Sequence, residues 1–214
     1  MILFIYGLPG SGKGTQSDLL KEKFNFIHLS TGDIIRDIIN NKKDGWENLN
    51  KFVSSGELVP DTIINEIFFN SLYEKGLNNN FIIDGYPRTI NQLELVKDKL
   101  NSLSDIVALH LYIKCDELKI IKRITSRRIC KNCGAIFNIE LDKDIQNCKF
   151  CGGELYQRPD DEYSVIKKRI EEYKNKTEPV LDKLQSEGIL VSINGDREIK
   201  NIFDDIVLIL KGKV

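Results

Sequence analysis

Short, continuous apolar runs alternate with longer stretches of helical periodicity along the chain. Ile2 to Tyr6 is apolar throughout and leads into a Gly-rich turn, the mark of a strand buried on both faces. The same pattern predicts strands at Phe81 to Asp84, Ile106 to Ile113 and Ile189 to Ile193. Helices are predicted at Lys13 to Phe24, Thr31 to Asn41, Asp61 to Glu74, Asn91 to Leu100, Glu117 to Arg128, Asp161 to Glu187 and Ile199 to Leu210, with Pro179 kinking or interrupting the sixth. Strands that alternate with helices imply an α/β doubly wound parallel sheet. Two segments break the alternation. Residues 30–59 read as helical with no strand of their own, and Ile129 to Gln157, within 127–161, is rich in Cys, Gly, Asn and Asp and has no long helical pattern. Both are expected to be inserts over one core made of 1–29, 60–126 and 162–214.

Composition narrows the possibilities. The 214 residues suffice for one packed core and a mobile insert, and 41% apolar with 29% charged residues is the balance of a soluble protein. The net charge of -1 argues against a protein that coats nucleic acid or an acidic membrane. Met1 to Tyr6 lacks the charged start of a secretion signal, and runs such as Ile206 to Leu210 are far too short to span a bilayer, so a cytoplasmic location is expected. The 23 Lys outnumber the 8 Arg, so each Arg asks for a reason that Lys could not satisfy.

Gly7 to Thr15, GLPGSGKGT, follows the first strand and opens the first helix. This is GxxxxGK in the context that gives it meaning: backbone N–H groups and a helix N-terminus turned toward phosphate, with Lys13 reaching further along the chain of phosphates. Asp84 ends the second buried strand. It either caps the next turn or holds a water on Mg²⁺, and the adjacent phosphate loop favours the metal.

Four of the five cysteines form two CxxC pairs, Cys130 with Cys133 and Cys148 with Cys151, separated by 14 residues. Two such knuckles can deliver four thiolates to a tetrahedral ion, against the alternatives of disulfides or free thiols. A full set of protein ligands leaves no open position, so the ion would be structural. Zinc is expected, with iron possible in a heterologous host. Cys115 reads as a strand-end residue, and His28 and His110 as structural.

The segments Ser30 to Arg36, Gly56 to Val59 and Asp84 to Thr89 with Gln92, added to the GKGT loop, resemble adenylate kinases of the long-lid, zinc-containing type, and the resemblance runs essentially end to end. It implies ATP, AMP and ADP as ligands and Mg²⁺ with ATP. It implies that 30–59 covers AMP and that 127–161 is the lid over ATP. ATP would be held by Gly10, Ser11, Gly12, Lys13, Gly14, Thr15, Arg127, Ile136, Phe137 and Arg197. AMP would be held by Thr31, Arg36, Glu57, Leu58, Val59, Gly85, Tyr86, Pro87, Arg88, Gln92, Arg158 and Arg169. Lys13, Asp84, Arg88, Arg123, Arg127, Arg158 and Arg169 would surround the transfer, Arg123 and Arg127 sharing one helix face. The alternative for Thr31 is a plain helix cap, a role compatible with binding, and that for Gln92 a solvated helix residue.

The AMP phosphate is already anionic, so the expected mechanism is positioning and charge stabilisation in a site closed to water, with no general base. The protein is expected to act as a monomer. A kinase for UMP or CMP is the nearest alternative, and a zinc-ribbon nucleic-acid binder a remote one.

Overall fold

The computed structural model describes residues 1–101 and 106–212; residues 102–105 and 213–214, which fall in the expected core segments, lie outside the described residues. Strand β1 (Ile2–Tyr6) is buried along its whole length. It pairs in parallel with β3 (Phe81–Asp84) on one side and β4 (Ala108–Lys114) on the other. Strand β2 (Ile27–Ser30) lies beyond β3 and β8 (Leu190–Asn194) beyond β4, giving a five-stranded parallel sheet in the order β2-β3-β1-β4-β8.

Strand β2 escapes sequence reading. Its four residues, IHLS, carry two polar positions, and Ile27 and His28 are only half-buried at the sheet edge. A continuous apolar run marks only strands covered on both faces. The predicted strand at 106 begins two residues late, at Ala108.

Alternate residues of β1 feed two cores. Phe4 and Tyr6 pack with Phe68 and Leu72 of α4 (Asp61–Glu74), Leu93 and Val96 of α5 (Ile90–Asn101), and Ile120 and Ile124 of α6 (Glu117–Thr125). Leu3 and Ile5 pack with Leu20 of α1 (Lys13–Phe24) and Ile202, Ile206 and Leu210 of α9 (Ile199–Lys211). Each such fully buried aliphatic side chain contributes roughly 1.5–3 kcal/mol through removal from water. Helices thus cover both faces and leave the carboxyl ends of the strands open, where ligands bind in such sheets.

The first insert is helical: α2 (Thr31–Asn40) and α3 (Trp46–Ser55). The cap of α2 is Ser30, whose Oγ accepts the Asp33 N–H at 3.2 Å, so Thr31 is not the cap. The second insert is a three-stranded antiparallel sheet, β6 (Ile136–Asn138), β5 (Arg127–Cys130) and β7 (Leu155–Tyr156), in that order. The helix expected to reach Arg128 therefore stops at Thr125, because the backbone of residues 127–129 is taken up by the ladder to Ile136–Asn138. Arg123 and Arg127 consequently do not share a helix face.

The long late helix is interrupted, as Pro179 suggests. It comes as α7 (Tyr163–Glu172), a π-helical turn Tyr173–Thr177, and α8 (Glu178–Ser186) with Pro179 in its first turn. Proline has no N–H for the carbonyl one turn back and its ring crowds that carbonyl; a widened turn relieves both. Its predicted first residue, Asp161, instead closes a 3₁₀ turn, Pro159–Asp161, and the α-helix begins at Tyr163. Among the described residues no helix is long and apolar enough to cross a membrane.

Candidate active site

The parallel register sets the floor of the site. Ile5 of β1 is level with Asp84 of β3, and Ser30 of β2 is level with Asp84 on its other side. The glycine loop leaving β1, the carboxylate ending β3 and the insert leaving β2 therefore emerge side by side. They open into a single cleft of about 810 Å³. Every non-cysteine residue singled out above as catalytic or nucleotide-binding lines this one cleft, from Gly10 to Thr15 on one wall to Arg158 and Arg169 on the other.

Lys13 folds back over the loop, donating from Nζ to the carbonyls of Gly7 (2.8 Å) and Leu8 (3.0 Å). Burial lowers its pKa to about 8; Asp84 opposes this, and Arg88, Arg169 and Arg127 push the same way as burial. Burial also lowers Arg158 and Arg169 to about 10 and depresses Arg88. So many cations crowded into a partly dry cleft cost free energy that an anionic ligand offsets, which makes the cleft a receptor for polyanions.

Carboxylates on the rim hold the guanidinium groups in place. Arg127 grips Asp161, which is fully buried, with Nε 2.8 Å from Oδ2 and Nη2 on the other oxygen. Arg169 donates to Asp160 at 2.9 Å. Asp33 of α2 meets Arg36 at 2.6 Å and Arg158 at 3.7 Å, so the first insert touches the return stem of the second. Arg123 reaches the Gly195 carbonyl at 3.2 Å, while the guanidinium of Arg197 turns outward onto Asp205.

The loop after β3 is equally constrained. Thr31 donates from Oγ1 to the Gly85 carbonyl at 3.0 Å, and Arg88 Nε donates to the same oxygen at 2.8 Å. Gly85 has φ +85°, and a Cβ there would lie 2.7 Å from Arg88 and 2.8 Å from Thr31, so only glycine fits. Gln92 is buried and not solvated: Oε1 accepts the Arg88 N–H at 2.6 Å and Nε2 donates to Asp61 at 2.6 Å. One N–H and one lone pair of its amide remain for a base edge.

Sequence reading gave no role to Asp33, Asp61, Tyr173 or Thr177, all of which line the cleft or hold residues that do. Pro179, two residues past Thr177, was the one available signal for the π-helical turn.

In the second insert the Sγ atoms of Cys130, Cys133, Cys148 and Cys151 all lie within 4.8 Å of one another. Cys130–Cys151 at 3.4 Å and Cys133–Cys148 at 3.5 Å are too long for disulfides and close to the edge of a tetrahedron with metal–sulfur bonds of about 2.3 Å. Matching turns make the two knuckles: Gly134 (φ +73°) and Gly152 (φ +70°) donate to the carbonyls of Cys130 (3.0 Å) and Cys148 (2.9 Å). The buried apolar residues here are only Cys130, Phe137 and Cys148 among those described, too few to hold a sheet alone. The cluster fits a metal ion. Cys115 stays apart, its Sγ 3.6 Å from the Ser11 carbonyl.

A doubly wound sheet with a phosphate loop after its central strand, two covering inserts and a cationic cleft between them defines a P-loop phosphotransferase. Comparison with known proteins makes the class specific. The family model for adenylate kinase matches residues 5–189. The chain is 39% identical over 209 residues to an adenylate kinase of Caldicellulosiruptor bescii, covering 97% of each chain. It is 38% identical over 212 residues to one of Listeria monocytogenes (98% of this chain, 99% of the relative) and 35% identical over 213 residues to one of Archaeoglobus fulgidus (99% and 98%). The chain belongs to the adenylate kinase family, enzymes that move a phosphoryl group between ATP and AMP.

Proposed function

We propose that this protein catalyses reversible, in-line phosphoryl transfer from Mg-ATP to AMP, giving two ADP, in a site that closes against water. The observation that carries the reading is the gathering of Lys13, Arg36, Arg88, Arg123, Arg127, Arg158 and Arg169 around one cleft with Asp84 at its floor.

The donor side is the loop Gly10 to Thr15 with Lys13, covered by Arg127, Ile136 and Phe137 of the lid. The backbone near Arg197 faces the base, since that side chain is turned away onto Asp205. The acceptor side is Thr31, Arg36, Glu57 to Val59, Gly85 to Arg88 and Gln92. Arg158 and Arg169 stand between the two. Forked guanidinium donors match phosphoryl oxygens two at a time and stabilise charge that grows during transfer. The acceptor phosphate is anionic already, so no side chain need remove a proton.

Asp84 is a carboxylate beside a phosphate loop, the single-carboxylate setting that suits Mg²⁺ shared with phosphates. When bound, the ion supplies neutralisation of the ATP phosphate charge. The four cysteines hold a structural zinc that stiffens the lid. Residues 30–59 and 127–161 act as the two covers. The enzyme works as a monomer without nucleic acid or membrane.

An ADP disproportionation assay with and without Mg²⁺, followed by a coupled assay with AMP, GMP, CMP and UMP as acceptors, tests this. The expected result is Mg²⁺-dependent formation of ATP and AMP and a clear preference for AMP. Inert ADP would overturn the activity, and a preference for CMP or UMP would overturn the substrate.

A further inference from the structure

Arg88 sits on an irregular stretch between β3 and α5, yet phosphoryl transfer tolerates only small misplacement of such a group. Two side chains take hold of its main chain. Gln92 Oε1 accepts its N–H at 2.6 Å. Thr177 Oγ1 donates to its carbonyl at 3.1 Å, across 89 residues of sequence. Thr177 is 2% exposed and is the last residue of the π-helical turn Tyr173–Thr177. A threonine within a helix commonly spends its hydroxyl on the carbonyl one turn back. Here the hydroxyl crosses to another element, from a widened turn of the kind that recurs at functional sites.

We infer that Thr177 is a positioning residue for phosphoryl transfer: its hydroxyl fixes the main chain of Arg88 and thereby aims the guanidinium into the cleft. Gln92 and Thr177 hold opposite ends of the same residue, and Arg88 Nε, tied to the Gly85 carbonyl at 2.8 Å, completes the restraint. The inference rests on the proposed role of Arg88 at the transferring group. A threonine that merely fills space would be replaced by valine, which keeps the branch and the volume, without a specific loss of rate.

The test is steady-state kinetics of the full chain with ADP as substrate for Thr177→Val, Thr177→Ser, Arg88→Lys and the double variant Arg88→Lys with Thr177→Val. Thr177→Val is expected to lower kcat about tenfold, the scale of one lost hydrogen bond, with KM for ADP shifting less than about threefold. Thr177→Ser, which restores the donor, is expected to return kcat to within about twofold. In the Arg88→Lys background Thr177→Val should cost nothing further. Should valine unfold the protein at assay temperature, Thr177→Cys, a weak donor of similar size, is expected to give an intermediate kcat. An impaired Arg88→Lys beside a full-speed Thr177→Val overturns the clamp alone. An equal loss from Thr177→Val in both backgrounds also overturns it, since the hydroxyl would then act independently of Arg88. A full-speed Arg88→Lys removes Arg88 from the transfer and takes the inference with it.

Discussion

Arg127, the first residue of β5, grips both carboxylate oxygens of Asp161, so the outgoing and returning stems of the lid are tied to each other at its base. Asp161 has no exposed surface. Removing one partner of a buried pair strands the other charge, so Asp161→Ala should lower unfolding free energy by about 3 kcal/mol. Urea unfolding of the two proteins measures this, and a difference within about 0.5 kcal/mol would show the pair to be solvated and weak.

Arg88→Lys keeps the charge and loses the fork. Kcat should fall at least about hundredfold, as expected when a donor to developing charge is removed, with circular dichroism unchanged. A near-normal rate would place Arg88 outside the transfer.

Treating the protein with a chelator to take away the proposed zinc, or substituting Cys133→Ser, should lower Tm by at least about 5 °C while low-temperature activity falls less. Metal analysis accompanies the melts. An unchanged melting curve from a metal-free preparation contradicts the structural role.

Lys13, with its pKa lowered to about 8 chiefly by burial, titrates within reach of ordinary assays. Bound phosphate favours the charged form, so nucleotide binding above pH 8 must take up a proton. KM for ATP should therefore rise about tenfold per pH unit above 8 while kcat stays nearly flat. A KM that stays constant to pH 9.5 would rule this out.

His110 is buried, stacks on Phe4 with ring centroids 5.0 Å apart, and faces the Tyr6 hydroxyl at 2.9 Å. Burial lowers its pKa from 6.5 to about 4, with Lys97 adding to the effect. Between those values the unfolded chain binds a proton that the folded one refuses. Stability from this residue is complete above pH 6.5 and falls by about 3 kcal/mol as pH drops to 4. His110→Leu should flatten that part of the stability profile relative to the parent, and parallel profiles for the two would dismiss the assignment.

The central strands and the phosphate loop were legible because burial on both faces leaves an uninterrupted apolar run, and because a glycine loop binding phosphate tolerates few substitutes. The four thiols were legible for a similar reason, since two CxxC knuckles are the spacing that brings four sulfurs together in a tetrahedron. Strand β2 and the end of α6 were not. At Ile27–Ser30 a short edge strand needs no strong pattern, and at Arg127 a long-range ladder overrides a locally helical sequence. Thr177 and Asp33 were hidden because their importance lies in partners distant along the chain, which no local window contains.

The middle strand of the sheet comes ahead of the other four in sequence, and both of its neighbours are made much later, β3 from Phe81 and β4 from Ala108. A nascent chain that stops short of Lys114 must carry Ile2–Tyr6 with one side unclaimed, a sticky apolar ribbon open to other chains. Truncated products and slow translation before that point are thus the circumstances in which this protein is most prone to aggregate and most dependent on chaperones.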